Sequence, residues 1–81
     1  TVLDKAIKNR ISAKITYNTQ TKNIQRAKDA EHLLISSYET GIIDFNDVLD
    51  IQELQLKFQM TQIESIKTYY KQTTIINYLS N

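Results

Sequence analysis

Residues 37–52, SYETGIIDFNDVLDIQ, decide the fold. They hold the only glycine of an 81-residue chain that contains no proline. Gly41 suits the left-handed backbone that ends a helix, because it has no Cβ to clash there. Asp44 is placed to cap the helix that follows, with Asp47 three residues on in a capping-box-like position. Ile43 before the cap and Val48 at the fourth helical position are spaced as a hydrophobic staple. Asp44, Asp47, Asp50 and Glu53 put negative charge at the positive end of the second helix dipole. A sheet or a loop-rich domain needs more turn residues than one glycine supplies. The expectation is all-α: one long antiparallel two-helix hairpin, coiled-coil-like, as a single domain. Its helices are expected over about 2–39 and 45–79, with the turn over about 40–44. At ~1.5 Å of rise per residue, each helix would exceed ~50 Å.

Working outward, the first half carries a 3-4 repeat through Leu3, Ala6, Arg10, Ala13, Tyr17, Gln20, Ile24, Ala27, Glu31, Leu34 and Tyr38. Apolar residues dominate it, so it reads as a helical seam, with alanines that favour close approach of a partner. The weak stretch is KITYNTQTKN, residues 14–23. Ile15, Thr16, Thr19 and Thr21 are β-branched, Asn18 and Asn23 are poor helix formers, and Ile15, Tyr17, Thr19 and Thr21 alternate as a strand does. Helix is retained because no turn flanks the stretch; a local break would fall here.

The second half places Leu49, Leu56, Ile63 and Tyr70 at a strict spacing of seven, with Ile51 and Phe58, and Val48, Tyr69 and Ile76, on other faces. Apolar residues on several faces call for more than one packing partner. Gln52, Gln55, Gln59, Gln62 and Gln72 lie between them, and uncharged polar residues can sit at helix contacts without the cost of burying charge. Two long helices sharing one seam leave much surface wet, and helical stability comes mainly from packing. Further helices are therefore expected, from the parent chain, from other subunits, or from self-association into a bundle.

The balance of charge excludes other classes. Ten Lys/Arg against nine Asp/Glu give a net charge of +1, no broad field for nucleic acid or an anionic membrane. No apolar run approaches the ~20 residues of a spanning helix. There is no cysteine for a disulfide or a metal site. His32, the one histidine, stands beside Glu31 with no nucleophile patterned around it and reads as solvated. Asp44, Asp47 and Asp50 read as a capped, dipole-matched helix start and not as a cation site. Lys5, Lys8, Arg10 and Lys14 form a mild basic patch. Tyr69, Tyr70 and Tyr78 are expected to pack on several faces. Phosphate loops and nucleophile elbows are absent. No enzyme activity, catalytic residue, cofactor or metal is expected.

Tyr38, two residues and Gly41, then Asp47-Val48-Leu49-Asp50 with Gln52, form a pattern that resembles the periplasmic hairpin of TolC-type outer-membrane efflux proteins. In that family a Tyr-x-x-Gly ends the descending helix, and Asp-Val-Leu-Asp with a nearby glutamine opens the ascending one. RAKDAEHLL upstream and IKTYYKQTTIINYL downstream extend the likeness over the whole chain. The resemblance implies one hairpin, the C-terminal of two, in the α-helical barrel of a trimer. Such a trimer continues into an outer-membrane β-barrel, which this chain does not include, and exports small molecules or proteins. The chain would then be the periplasmic portion of an outer-membrane protein, with a signal peptide upstream of Thr1. The resemblance also implies a periplasmic adaptor docked at the barrel tip and an inner-membrane pump behind it. On it, the docking or gating tip is Tyr38, Glu39, Thr40, Gly41, Ile42, Ile43 and Asp44. Asp44, Asp47, Val48, Leu49 and Asp50 form the helix start. Ile43 departs from the family members that carry a basic latch residue two positions after the glycine, so no such latch is carried over.

Two alternatives stand beside this. One is the hairpin of the adaptor itself, a docking module; its usual Arg, Leu and Ser pattern is missing from this turn. The other is a generic coiled-coil scaffold, half of a four-helix bundle. From the residues alone, Tyr38 either closes the seam or serves the tip, and Gly41 is first a helix stop.

Overall fold

The computed structural model describes residues 1–81 as two helices, α1 (Val2–Glu39) and α2 (Phe45–Ser80), with no strand. They lie antiparallel as a rod of 61 × 15 × 14 Å. Its radius of gyration is 18.1 Å, against about 12 Å for a compact globule of this length. No helix is long and apolar enough to cross a membrane.

α1 is continuous through residues 15–23. The Thr21 hydroxyl donates to the Tyr17 carbonyl at 3.0 Å, so a β-branched polar residue bonds within the helix instead of competing with it. Thr73 and Thr74 do the same on α2, donating to the carbonyls of Tyr69 and Tyr70.

The 3-4 repeat of α1 is the observed seam. Ala6, Ala13 and Ala27 are buried, and Leu3, Arg10, Gln20, Ile24, Glu31 and Leu34 are half-buried between them. Tyr38, the last position of that repeat, is exposed.

The seam of α2 differs from the expected pattern. Val48, Ile51, Phe58, Tyr69 and Ile76 do not lie on separate faces; together with Gln55, Gln62, Ser65 and Gln72 they form one buried or half-buried line at 3-4 spacing. The stricter Leu49, Leu56, Ile63 and Tyr70 repeat turns outward. One residue step is ~100° of rotation, so burying Val48 and Ser65 necessarily swings the adjacent stripe to the side. Tyr78 is exposed instead of packed; Tyr70, though exposed, sets its ring edge-on to Tyr69 at 5.7 Å, and Tyr69 has the Arg10 guanidinium 5.8 Å over its ring.

The core is thin. Five side chains are buried, three of them alanines. The chain exposes 6122 Å², while a compact protein of 9.4 kDa exposes about 5,000 Å². Across the seam the Gln62 amide donates to the Thr21 hydroxyl at 2.7 Å. The side-chain ion pair, Lys67 with Glu64, is exposed and lies within α2, so it adds little to the union of the helices.

Candidate functional site

The closed end of the rod is built by the end of α1. Thr40 is the C-cap, and Gly41 takes φ +78°, the left-handed region. The Gly41 N–H donates to the Tyr38 carbonyl and the Ile42 N–H to the Ser37 carbonyl, both at 2.9 Å. This pair of bonds is a Schellman stop, which satisfies carbonyls a helix end leaves orphaned. A Cβ at Gly41 would meet nothing within 4 Å, so the backbone angle alone selects glycine. The Thr40 hydroxyl donates to the Ser37 carbonyl at 3.0 Å.

A Schellman stop usually folds the residue after its glycine back onto the helix. Here Ile42 stays 77% exposed instead, and becomes the apolar apex of the rod. Beside it, the Tyr38 ring lies 5.3 Å from the Phe45 ring at a tilted 53°. The closed end thus exposes Ile42 and a Tyr38–Phe45 ring pair. Ile43 is half-buried and Glu39 exposed.

α2 starts at Asp44, whose carboxylate accepts the Asn46 N–H at 2.9 Å. The Asp47 N–H donates to the Asp44 carbonyl at 3.1 Å. The reciprocal bond of a capping box, from Asp44 N–H to the Asp47 carboxylate, is not formed, because the cap closes on the second amide and leaves Asp47 in solvent. Val48 is 2% exposed and anchors the turn, while Leu49 and Asp50 face outward. The tip therefore exposes apolar side chains, with Asp44, Asp47 and Asp50 in solvent along the first turns of α2.

Of the residues expected at the tip, Tyr38, Glu39, Thr40, Gly41, Ile42 and Asp44 are exposed at the closed end and Ile43 is half-buried. Phe45 was not anticipated. It reads in sequence as the first helical residue after a cap, and the signal that could have found it is its seven-residue spacing from Tyr38, which brings two aromatics across the turn.

The two broad sides of the rod differ. One groove beside the seam is lined by Lys14, Tyr17, Ile66, Tyr69 and Tyr70. The opposite groove is lined by Asn9, Ser12, Thr16, Thr61, Glu64 and Thr68. The heptad of Leu49, Leu56 and Ile63 continues from Tyr70 along the apolar side. No group of three or more His, Cys, Asp or Glu side chains is placed to hold a metal ion. His32 is exposed. The geometry offers surfaces, at the tip and along one side, and no assembled set of reactive groups. No family model, curated protein or solved structure matches the chain.

Proposed function

We propose that this hairpin is a wall segment of a trimeric outer-membrane export duct of the TolC type, with its tip docking a periplasmic adaptor. The observation that carries it is the tip. A rod 61 Å long ends in exposed Tyr38, Ile42 and Phe45, with exposed aspartates on the adjoining first turns of α2, within the 37–52 segment that holds the resemblance. A water-facing helix end has no need of an isoleucine at its apex; an apolar centre with a charged rim is the anatomy of a docking surface. The surplus surface of the rod supports the same reading, since a duct wall supplies neighbours on its flanks. Gating would be mechanical: adaptor binding favours one packing of the hairpins over another and shifts the tip between closed and open populations.

The test uses the full-length parent protein in cells. Single cysteines at Ile42 and at Thr61, mid-rod, are treated with a short bifunctional crosslinker. Crosslinking of the Ile42 site, and not the Thr61 site, to a periplasmic adaptor supports the proposal. Crosslinks to cytosolic partners alone, or a parent reading frame without barrel strands, would end it.

A further inference from the structure

We infer that the chain pairs with a second copy of itself, head to tail, through the side that carries Leu49, Leu56, Ile63 and Tyr70. This concerns the flank and not the tip. In a duct wall all tips point one way, so the pairing belongs to the chain outside such a wall and does not rest on the duct reading.

Three observations lead to it. The first is the stripe itself. Leu56, Ile63 and Tyr70 are 56%, 53% and 65% exposed. Two helical turns separate each residue from the next, so they stand on one face. The stripe runs from Leu49 to Tyr70, and its centre lies between Gln59 and Met60. Thr21 is level with Gln62, which places the middle of the rod close to that centre. A twofold axis across the rod at the centre of the stripe, two to three residues tipward of Gln62, lays Leu49 over Tyr70 of the copy and Leu56 over Ile63 of the copy. In reverse the stripe meets its own copy as one closed, self-complementary patch, and charge decides between this direction and the parallel one. With tips together, α2 would lie over α1 of the copy instead. Leu56 would then sit at the level of Ala27, and Ile63 at that of Gln20.

The second is charge. Residues 1–20 and 61–81, the open end, hold six Lys/Arg and two Asp/Glu, while residues 21–60, the tip half, hold four and seven. The rod is positive at one end and negative at the other. Head-to-tail copies put unlike ends together, and tips-together copies put like ends together. Lys14 and Lys28 both lie on the α1 part of this side, which leaves α2 to hold the pair.

The third is area. One whole flank of the 61 × 15 Å rod projects about 900 Å², an upper limit that is no smaller than the about 800 Å² per partner of a standard stable interface; the stripe itself runs about 32 Å of that length. The surplus exposure of the lone rod is of the same order. The opposite flank, with Asn9, Thr61 and Thr68, offers similar area without the apolar stripe.

The 81-residue chain decides the matter. Sedimentation equilibrium is expected to show a dimer, and Leu56→Glu with Ile63→Glu to weaken it at least about 100-fold, tenfold or more for each buried charge. Thr61→Glu with Thr68→Glu, on the polar flank, is expected to leave it within a few-fold. Because the first pair could unsettle the hairpin, a second measurement uses the unaltered flank. The chain has no cysteine, so a single Thr40→Cys takes one spin label at each tip. Labels separated by a distance near the 61 Å rod length are expected. A monomer at millimolar concentration, labels within the width of two hairpins, or dissociation by the polar-flank pair alone each overturns the inference. A chain that pairs in this way but whose parent never crosslinks to an adaptor retires the duct reading only. A monomeric chain whose parent does crosslink retires only the pairing.

Discussion

Replacing Gln55 with leucine should stabilise the hairpin, and the reason lies in one atom. Gln55 occupies the seam of α2, and its Nε2 is buried with no hydrogen-bond partner in the chain. A buried donor left unpaired costs about 1–3 kcal/mol, because water is lost and nothing replaces it. Leucine removes that donor, has nearly the same size, and matches glutamine in helix propensity. Its extra apolar surface adds to the gain, so about 2 kcal/mol is expected. In a chain of this length that raises Tm by about 8–16 °C. The assay is thermal unfolding followed by circular dichroism, at two chain concentrations tenfold apart, since association also shifts Tm. Gln62→Leu is the control. The Gln62 amide already donates to Thr21 at 2.7 Å, so its removal exchanges a bond for apolar contact and should gain less than about 1 kcal/mol. A Gln55→Leu chain no more stable than the parent, or a Gln62→Leu chain that gains as much, refutes the reasoning.

Two other substitutions probe the turn and the seam. Gly41→Ala should cost about 1–2 kcal/mol by urea unfolding, although a Cβ there meets only open space. Gly41→Asn should cost less, since asparagine tolerates the left-handed region; equal costs would mean that space and not φ selects glycine. Ala27→Leu inserts three heavy atoms where the side chain is 4% exposed; a loss of about 1–3 kcal/mol in the same assay is expected, and a gain would show that the seam is loosely packed.

Much of the architecture was legible from single residues. Gly41 and Asp44 mark the turn because each has a physical job there that few other residues do, and the 3-4 repeat of α1 is legible because its alanines are buried. The seam of α2 was harder to read, for a definite reason. Hydrophobic pattern assigns the inside to the greasiest stripe, here Leu49, Leu56, Ile63 and Tyr70. Where an alanine faces across, however, the space left is small, and Ser65 fills it with its hydroxyl turned back to the Gln62 carbonyl at 2.6 Å. Gln62 keeps its amide satisfied through Thr21. A polar residue inside a thin seam leaves no trace in a hydrophobic count. At the tip, Phe45 and the outward Ile42 were invisible for a related reason: both depend on the path of the chain after Gly41.

The choice of small side chains for the seam has a consequence for the flanks. Ala6, Ala13 and Ala27 let α2 approach closely, but they bury little surface in doing so. Ile51, Phe58, Tyr69 and Ile76 enter the seam only half-buried, and Leu49, Leu56, Ile63 and Tyr70 stand beside it. A hairpin built this way joins its helices through a slender line and leaves large apolar side chains in solvent, a regular stripe of them along one flank and others at the closed end. The two surfaces are separable, since the stripe is centred on the rod and the tip cluster lies beyond its end. Docking at Ile42 and pairing through Ile63 therefore draw on different atoms, the first in a duct wall and the second in the chain outside one.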